Sequence, residues 1–282
     1  MPEVAYSNNS SEKDTVRDNW IEFSKDMFEG DEFKLLTMPS YEMQDIFLYA
    51  EKGLIKLVKT ETGNYKLTKG KLVCYEMVKE KWDIIKTKIV CESIFCTTIY
   101  HGLTSGEYRK TFPFDTINLD FDGELEKSVR NPKHLFDAIF TNQALYKKDF
   151  AFFLTFPETV ANFTGPYKNN LVEIIRTNLS ERDNHVFIAK YNSLYNSEIE
   201  HIANEEFCKI SISKEIIKSA HHHNYRLKKA KFFTYGNRTG REPRQRMISL
   251  LYSFKFDQNR LPHSDYLTDV VYALETLNDL TG

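Results

Sequence analysis

Apolar positions along this chain switch repeatedly between two periods. Five short runs have either a strand's alternation or no polar face at all: "EFKLLTMPS" (32–40), "KLVCYE" (71–76), "SIFCTTIY" (93–100), "DTINLDF" (115–121) and "DFAFFLTF" (149–156). They predict five strands, and the last is too apolar to keep a wet face, as parallel strands covered on both sides are. The spacing between them is helical. Met43, Ile46, Phe47 and Ala50 mark one face of "YEMQDIFLYAEKGLI", with Ser40 as its N-cap. Val78, Trp82, Ile85 and Ile89 mark another, and "NPKHLFDAIFTNQALYKK" reads as a helix opened by Pro132. A lysine-rich loop with Gly63 and Gly70 fills the gap before residue 71.

Helical patterns follow over 167–182 and 193–220. Then come two long extended runs, "KKAKFFTYGNR" and "RMISLLYSFKF", parted by the turn material "TGREPRQ", which predicts an antiparallel hairpin. An amphipathic helix, "SDYLTDVVYALETLNDL", closes the pattern. Polar residues 1–19 read as a tail, with "WIEFSKDMF" a short helix leading into a single domain over 20–282. Alternating strands and helices give an α/β fold: a doubly wound, mostly parallel seven-stranded sheet with a C-terminal antiparallel hairpin.

Composition changes this picture little. At 282 residues there is ample material for one core, and 14% aromatics can fill it and leave rings for stacking. A net charge of −2 rules out a polycation, so any nucleic-acid footprint has to be a local patch. Cys74, Cys91, Cys96 and Cys208 form no close pair, which points to reduced thiols and not to a zinc or disulfide framework. With no run of 18 apolar residues and no apolar leader, the chain reads as soluble and cytoplasmic, with no membrane partner.

Five βα steps followed by a terminal hairpin resemble the layout of class I S-adenosylmethionine-dependent methyltransferases, over about residues 33–257. The resemblance implies a Rossmann-like methyltransferase fold with S-adenosylmethionine as cofactor. Ligands of such sheets lie outside the carboxyl ends of the strands, at the switch in strand order. Glu76, ending the second strand, is then the acid for the ribose hydroxyls, with Glu61 as the fallback. The family's glycine-rich turn after the first strand is replaced by Thr37, Met38, Pro39 and Ser40, which can still lead into a helix N-terminus. After the fourth strand, Asp120 matches the position facing methyl donor and acceptor, and Phe121 is the candidate stacking ring.

The stretch "LDFDGEL" also looks like the Asp-x-Asp-Gly-Thr signature of haloacid-dehalogenase-type phosphatases. There Asp120 would be nucleophile and Asp122 general acid, with magnesium beside them. That signature normally closes a first strand, and here Glu124 stands in place of Thr. A glycosyltransferase-type metal pair and a plain turn are the other readings. The tract His221–His223 splays its rings about 100° apart on a helix, so it reads as a cationic helix end and not as a metal site.

Arg238, Arg241, Arg244 and Arg246 make the hairpin the strongest positive cluster, a candidate grip on nucleic acid or a solvated loop. The expectation is therefore a methyltransferase-like protein acting on nucleic acid or another large substrate. The alternatives are an inactive adaptor within a protein assembly, or the magnesium-dependent phosphatase.

Overall fold

The computed structural model describes residues 11–40, 42–91, 93–123, 125–129, 131–158, 165–236, 246–259 and 266–278. Its elements in chain order begin with α1 (Ser11–Met27), β1 (Lys34–Thr37), α2 (Gln44–Glu51), β2 (Lys56–Lys59), β3 (Tyr65–Lys69) and β4 (Lys71–Glu76). There follow α3 (Lys79–Lys88), β5 (Ile89–Val90), β6 (Ile94–Cys96), α4 (Ile99–Thr104), β7 (Thr116–Asp120), α5 (Leu125–Val129), α6 (Pro132–Ala144) and β8 (Phe150–Pro157). The chain continues through α7 (Gly165–Ser180), α8 (His185–Leu194), α9 (Asn204–His222), β9 (Tyr225–Tyr235), β10 (Met247–Phe256) and α10 (Tyr266–Asn278).

Seven strands form the main sheet in the order β6-β4-β1-β7-β8-β10-β9. The first five run parallel, and β10 is antiparallel to both β8 and β9. This is the expected doubly wound, mostly parallel seven-stranded sheet with a C-terminal antiparallel hairpin. The chain leaves β1 outward to β4 and β6, then returns to set β7 on the other side of β1. The switch point is thus the β1–β7 seam, where Thr37 lies opposite Asn118.

Alternation along the strands sorts residues into cores on the two faces. Phe150, Phe152 and Leu154 of β8 join Leu36, Ile117 and Leu119 beneath α6 and α9. Ala151 and Phe153 face the other way, onto Trp20 and Phe23 of α1, with Trp20 stacked on Phe153 at 6.1 Å between centroids. All eight residues of β8 are buried, as its unbroken apolar run requires.

Several local expectations are corrected. Residues read as a polar tail, 1–19, are helical from Ser11, because Val16, Trp20 and Phe23 give that segment an apolar face to dock. Ser40 does not cap α2; the N-cap is Met43, in a left-handed conformation, and the Ser40 carbonyl instead accepts the Met43 N–H. The lysine-rich loop is the hairpin β2–β3, which joins β5 in a second, three-stranded sheet. Its inner residues Leu57, Tyr65 and Leu67 cover the core around Ile46 and Tyr49. The helical run over 193–220 is broken, with Ser193 and Leu194 closing α8 and the pattern resuming in α9 from Asn204.

Cys74, Cys91, Cys96 and Cys208 are free thiols, and the histidine tract ends α9 as read. Among the described residues no helix is long and apolar enough to cross a membrane.

Candidate functional site at the strand carboxyl ends

Two polar stripes meet at the switch point. In β7, Thr116, Asn118 and Asp120 alternate with core residues Ile117 and Leu119, so all three share the face that α1 covers. In α1, Lys13, Arg17, Trp20 and Ser24 recur at helical spacing. The stripes run in opposite directions: Thr116 donates to the Ser24 hydroxyl at 2.8 Å, and the Lys13 ammonium reaches Asp120 at 3.2 Å. The lengths agree, since eleven helical residues rise about 16 Å and four strand steps about 13 Å.

Between those two contacts the seam is unsatisfied. Thr37 and Asn118 are fully buried, and among the described residues neither the Thr37 hydroxyl nor either atom of the Asn118 amide has a hydrogen-bond partner. Buried polar groups are almost always paired, so orphans at this position mark a place where a ligand's polar groups would fit. The Tyr235 hydroxyl, at the end of β9, is a further orphan, and the charges of Asp120, Asp45 and Arg17 act on it.

Arg17 ties the first half of α1 across the seam. Its guanidinium donates to Asp45 at 3.1 Å and to Gln44 at 2.8 Å, both at the start of α2. Glu12 accepts the Gly236 N–H at 2.9 Å. Burial raises the Asp120 carboxyl above the usual carboxylate range, Lys13 opposes that rise, and the Asp45 charge adds to it.

The expected residues fall into distinct environments. Pro39 is buried, Met38 packs on the main core, and Ser40 is exposed. Glu76 ends β4 as read, half-buried, and one of its oxygens accepts the Val78 N–H at 2.7 Å, capping the turn into α3. Glu61 is exposed in the β2–β3 turn, away from the strand ends. Phe121 is packed in the main core, so its ring offers no open face for stacking. Asp122 is exposed in a bend, unlike Asp120. Among the described residues no group of three or more His, Cys, Asp or Glu side chains that could hold a metal ion forms.

Arg246 is held by Glu205 at 2.8 Å and Glu158 at 3.4 Å, while Arg238, Arg241 and Arg244 lie outside the described residues. Sequence reasoning missed Lys13, Arg17 and Asn118. The one signal available for them was the period-two polar stripe inside an otherwise apolar β7. Of two surface pockets, the one of about 370 Å³ beside Arg226 and Lys255 lies where β9 begins and β10 ends, at the opposite edge, and the other, of about 290 Å³, lies along α7.

A family model described as PP_RS20740-like matches residues 18–280. No curated protein matches the chain. Among solved structures, the plantazolicin methyltransferase BpumL, in complex with a pentazolic desmethylPZN analog and SAH, is 12% identical with a TM-score of 0.44, covering 89% of this chain and 88% of that one. The precorrin-6y C5,15-methyltransferase of Geobacter metallireducens is 8% identical, TM-score 0.38, covering 90% and 96%. A SAM-dependent methyltransferase of Methanosarcina mazei is 9% identical, TM-score 0.37, covering 82% and 96%.

Proposed function

The chain belongs to the PP_RS20740-like family, and from its strand ends we propose that it is an S-adenosylmethionine-dependent methyltransferase acting on nucleic acid or another large substrate. The observation that carries this reading is the pair of buried orphans, Thr37 and Asn118, at the switch point of the sheet. They supply a hydroxyl and a carboxamide where a cofactor's polar groups need partners, so the residues present fit the group. Thr37 and Asn118 would hold its polar end, and Glu76 would take the ribose hydroxyls on the oxygen not used by Val78. The turn of Met38, Pro39 and Ser40 would line the approach.

When bound, the cofactor supplies a sulfonium methyl group whose transfer asks mainly for positioning. Asp120 would orient the acceptor by taking a hydrogen bond from it, once Lys13 has left the carboxylate. The buried setting of that carboxylate strengthens such a bond.

A second reading is favoured by two observations: Lys13 itself sits on Asp120, and no glycine lies in the turn after β1. An inactive adaptor of a protein assembly would be built in this way. Thermal melts with S-adenosylmethionine and with S-adenosylhomocysteine separate the two. A ligand at 100 times its dissociation constant adds about 2.7 kcal/mol of stability. That gain is the expected result, and a Glu76→Ala variant needs more ligand to reach it. No shift at millimolar ligand selects the adaptor.

The acceptor is proposed to be held by the turn between β9 and β10. Seven Lys or Arg lie between Lys228 and Arg246, against one acid, Glu242. Lys229 and Lys231 pair with Glu22, and Arg246 with Glu205. The reading therefore rests on Arg238, Arg241 and Arg244.

A further inference from the structure

The sequence between Lys52 and Val90 carries ten lysines, no arginine and four acids, a net charge of +6 on a chain whose total is −2. Most of this charge is carried by the small sheet β2-β3-β5 and its helix α3. Some of these lysines are neutralised: Lys71 pairs with Glu32 at 2.9 Å, and Lys79 with Asp83 at 2.8 Å. Lys56, Lys59, Lys66 and Lys69 are exposed and have no ion-pair partner among the described residues. Lys56 faces Lys69 across the β2–β3 ladder, so like charges stand side by side where a folded chain gains nothing from them.

Among the described residues nothing covers the outward face of this sheet. Leu57, Tyr65, Leu67 and Ile89 turn inward to the core. Val58, Lys66 and Val90 stand opposite one another on the other side, with Val58 43% and Val90 54% exposed. A cationic rim around a flat, part-apolar face suits a chain that brings regularly spaced negative charge and flat apolar rings together. In a nucleic-acid strand the phosphates meet the ammonium groups and the bases lie on the apolar strip.

We propose that the outer face of the β2-β3-β5 sheet, with Lys66 on it and Lys56, Lys59 and Lys69 at its rim, binds nucleic acid. The face lies at the opposite edge of the main sheet from Thr37 and Asp120, because β3 leads through Gly70 directly into the start of β4. It is a holding surface separate from the β9–β10 turn, and it stands whether or not methyl transfer is the reaction.

The test is fluorescence anisotropy of a labelled 20-nucleotide single-stranded DNA with the full chain, at about 50 and about 200 mM salt. Three proteins are compared: wild type, Lys56→Gln/Lys59→Gln/Lys66→Gln/Lys69→Gln, and Arg238→Ala/Arg241→Ala/Arg244→Ala. Each lost phosphate contact flattens the slope of log affinity against log salt by about 0.7 for a single strand. The quadruple variant is expected to lose up to about 3 from that slope and to bind at least tenfold more weakly at low salt.

Its melting curve is expected to match wild type, since all four side chains are exposed. Should it melt early, single Lys59→Gln and Lys66→Gln variants carry the test, each flattening the slope by about 0.7. An unchanged slope in the lysine variants, or no binding by wild type at low salt, overturns the proposal. Displacement of the DNA by polyglutamate of equal charge would also overturn it, in favour of an acidic protein segment. Loss of binding in the arginine triple alone would leave the turn as the sole contact and overturn it as well.

Discussion

Asp120 and Asp122 are two positions apart and in different media. Asp120 has 15% of its side chain exposed and holds an ammonium, whereas Asp122 faces water. Replacing Asp120 by Asn leaves Lys13 over a neutral amide and is expected to cost about 1–3 kcal/mol. Asp122→Asn is expected to stay within about 0.5 kcal/mol. Denaturant melts of the two variants check this, and only Asp120→Asn should also weaken S-adenosylhomocysteine binding. The sequence made Asp120 visible, because an apolar strand delivers it to an open edge. Its partner was not visible, because Lys13 stands 107 positions away and nothing local ties the two together.

Lys214 offers a residue-scale test of another kind. It is 1% exposed in α9, its ammonium has no hydrogen-bond partner among the described residues, and it lies 5.5 Å from the centre of the Tyr266 ring. Burial pulls its pKa down to about 7, and the neighbouring Lys218 pushes the same way. Below that value folding buries the charge. Above it the folded chain releases a proton that the unfolded chain keeps up to about 10.4, so stability rises with pH at about 1.4 kcal/mol per unit. Lys214→Met is therefore expected to be more stable than wild type at pH 7. Melts repeated toward pH 10 should show that advantage shrinking, and a constant difference would refute the sign.

Among the elements, those with long periodic patterns were legible and those stabilised by distant partners were not. β4 and β8 announce themselves by apolar runs, and β9 and β10 by length. The first turns of α1 carry mostly polar residues, and only the sheet beneath explains their helix. Trp20 is the anchor of that packing, fully buried between α1 and β8, so Trp20→Ala is expected to cost about 3–5 kcal/mol in urea titration.

The short helix α4 is a sharper case. Gly102 is helical, and intrinsic propensity alone favours alanine there by about 1 kcal/mol. A Cβ at Gly102, however, would come within 2.7 Å of the Tyr75 ring, which is buried beneath α4. Gly102→Ala is expected to destabilise by about 1–3 kcal/mol, as overpacking does. The melting temperature decides which effect wins.

For the whole molecule, the doubly wound, mostly parallel sheet and its C-terminal hairpin were legible because βα alternation and handed crossovers leave few topologies open. The second sheet was not, because its hairpin has an exposed, lysine-rich face that reads as loop. Charge is divided in the same way. The four lysines of that sheet stand together on a chain of net −2, so the field is lopsided although the sum is small.

That strand order has a consequence for synthesis on the ribosome. β8 is apolar along its whole length, and its second neighbour is β10, not a strand that precedes it. Until Phe256 has emerged, the nascent chain holds Phe150–Pro157 with one ladder edge open and nothing to pair with it. At about 5–20 residues per second, the intervening stretch takes roughly 5–20 s to appear. During that interval the half-built sheet offers a template for another nascent copy. Slow codons between β8 and β10 would lengthen the exposure, so synonymous changes there should lower the soluble yield while leaving the purified protein's stability unaltered.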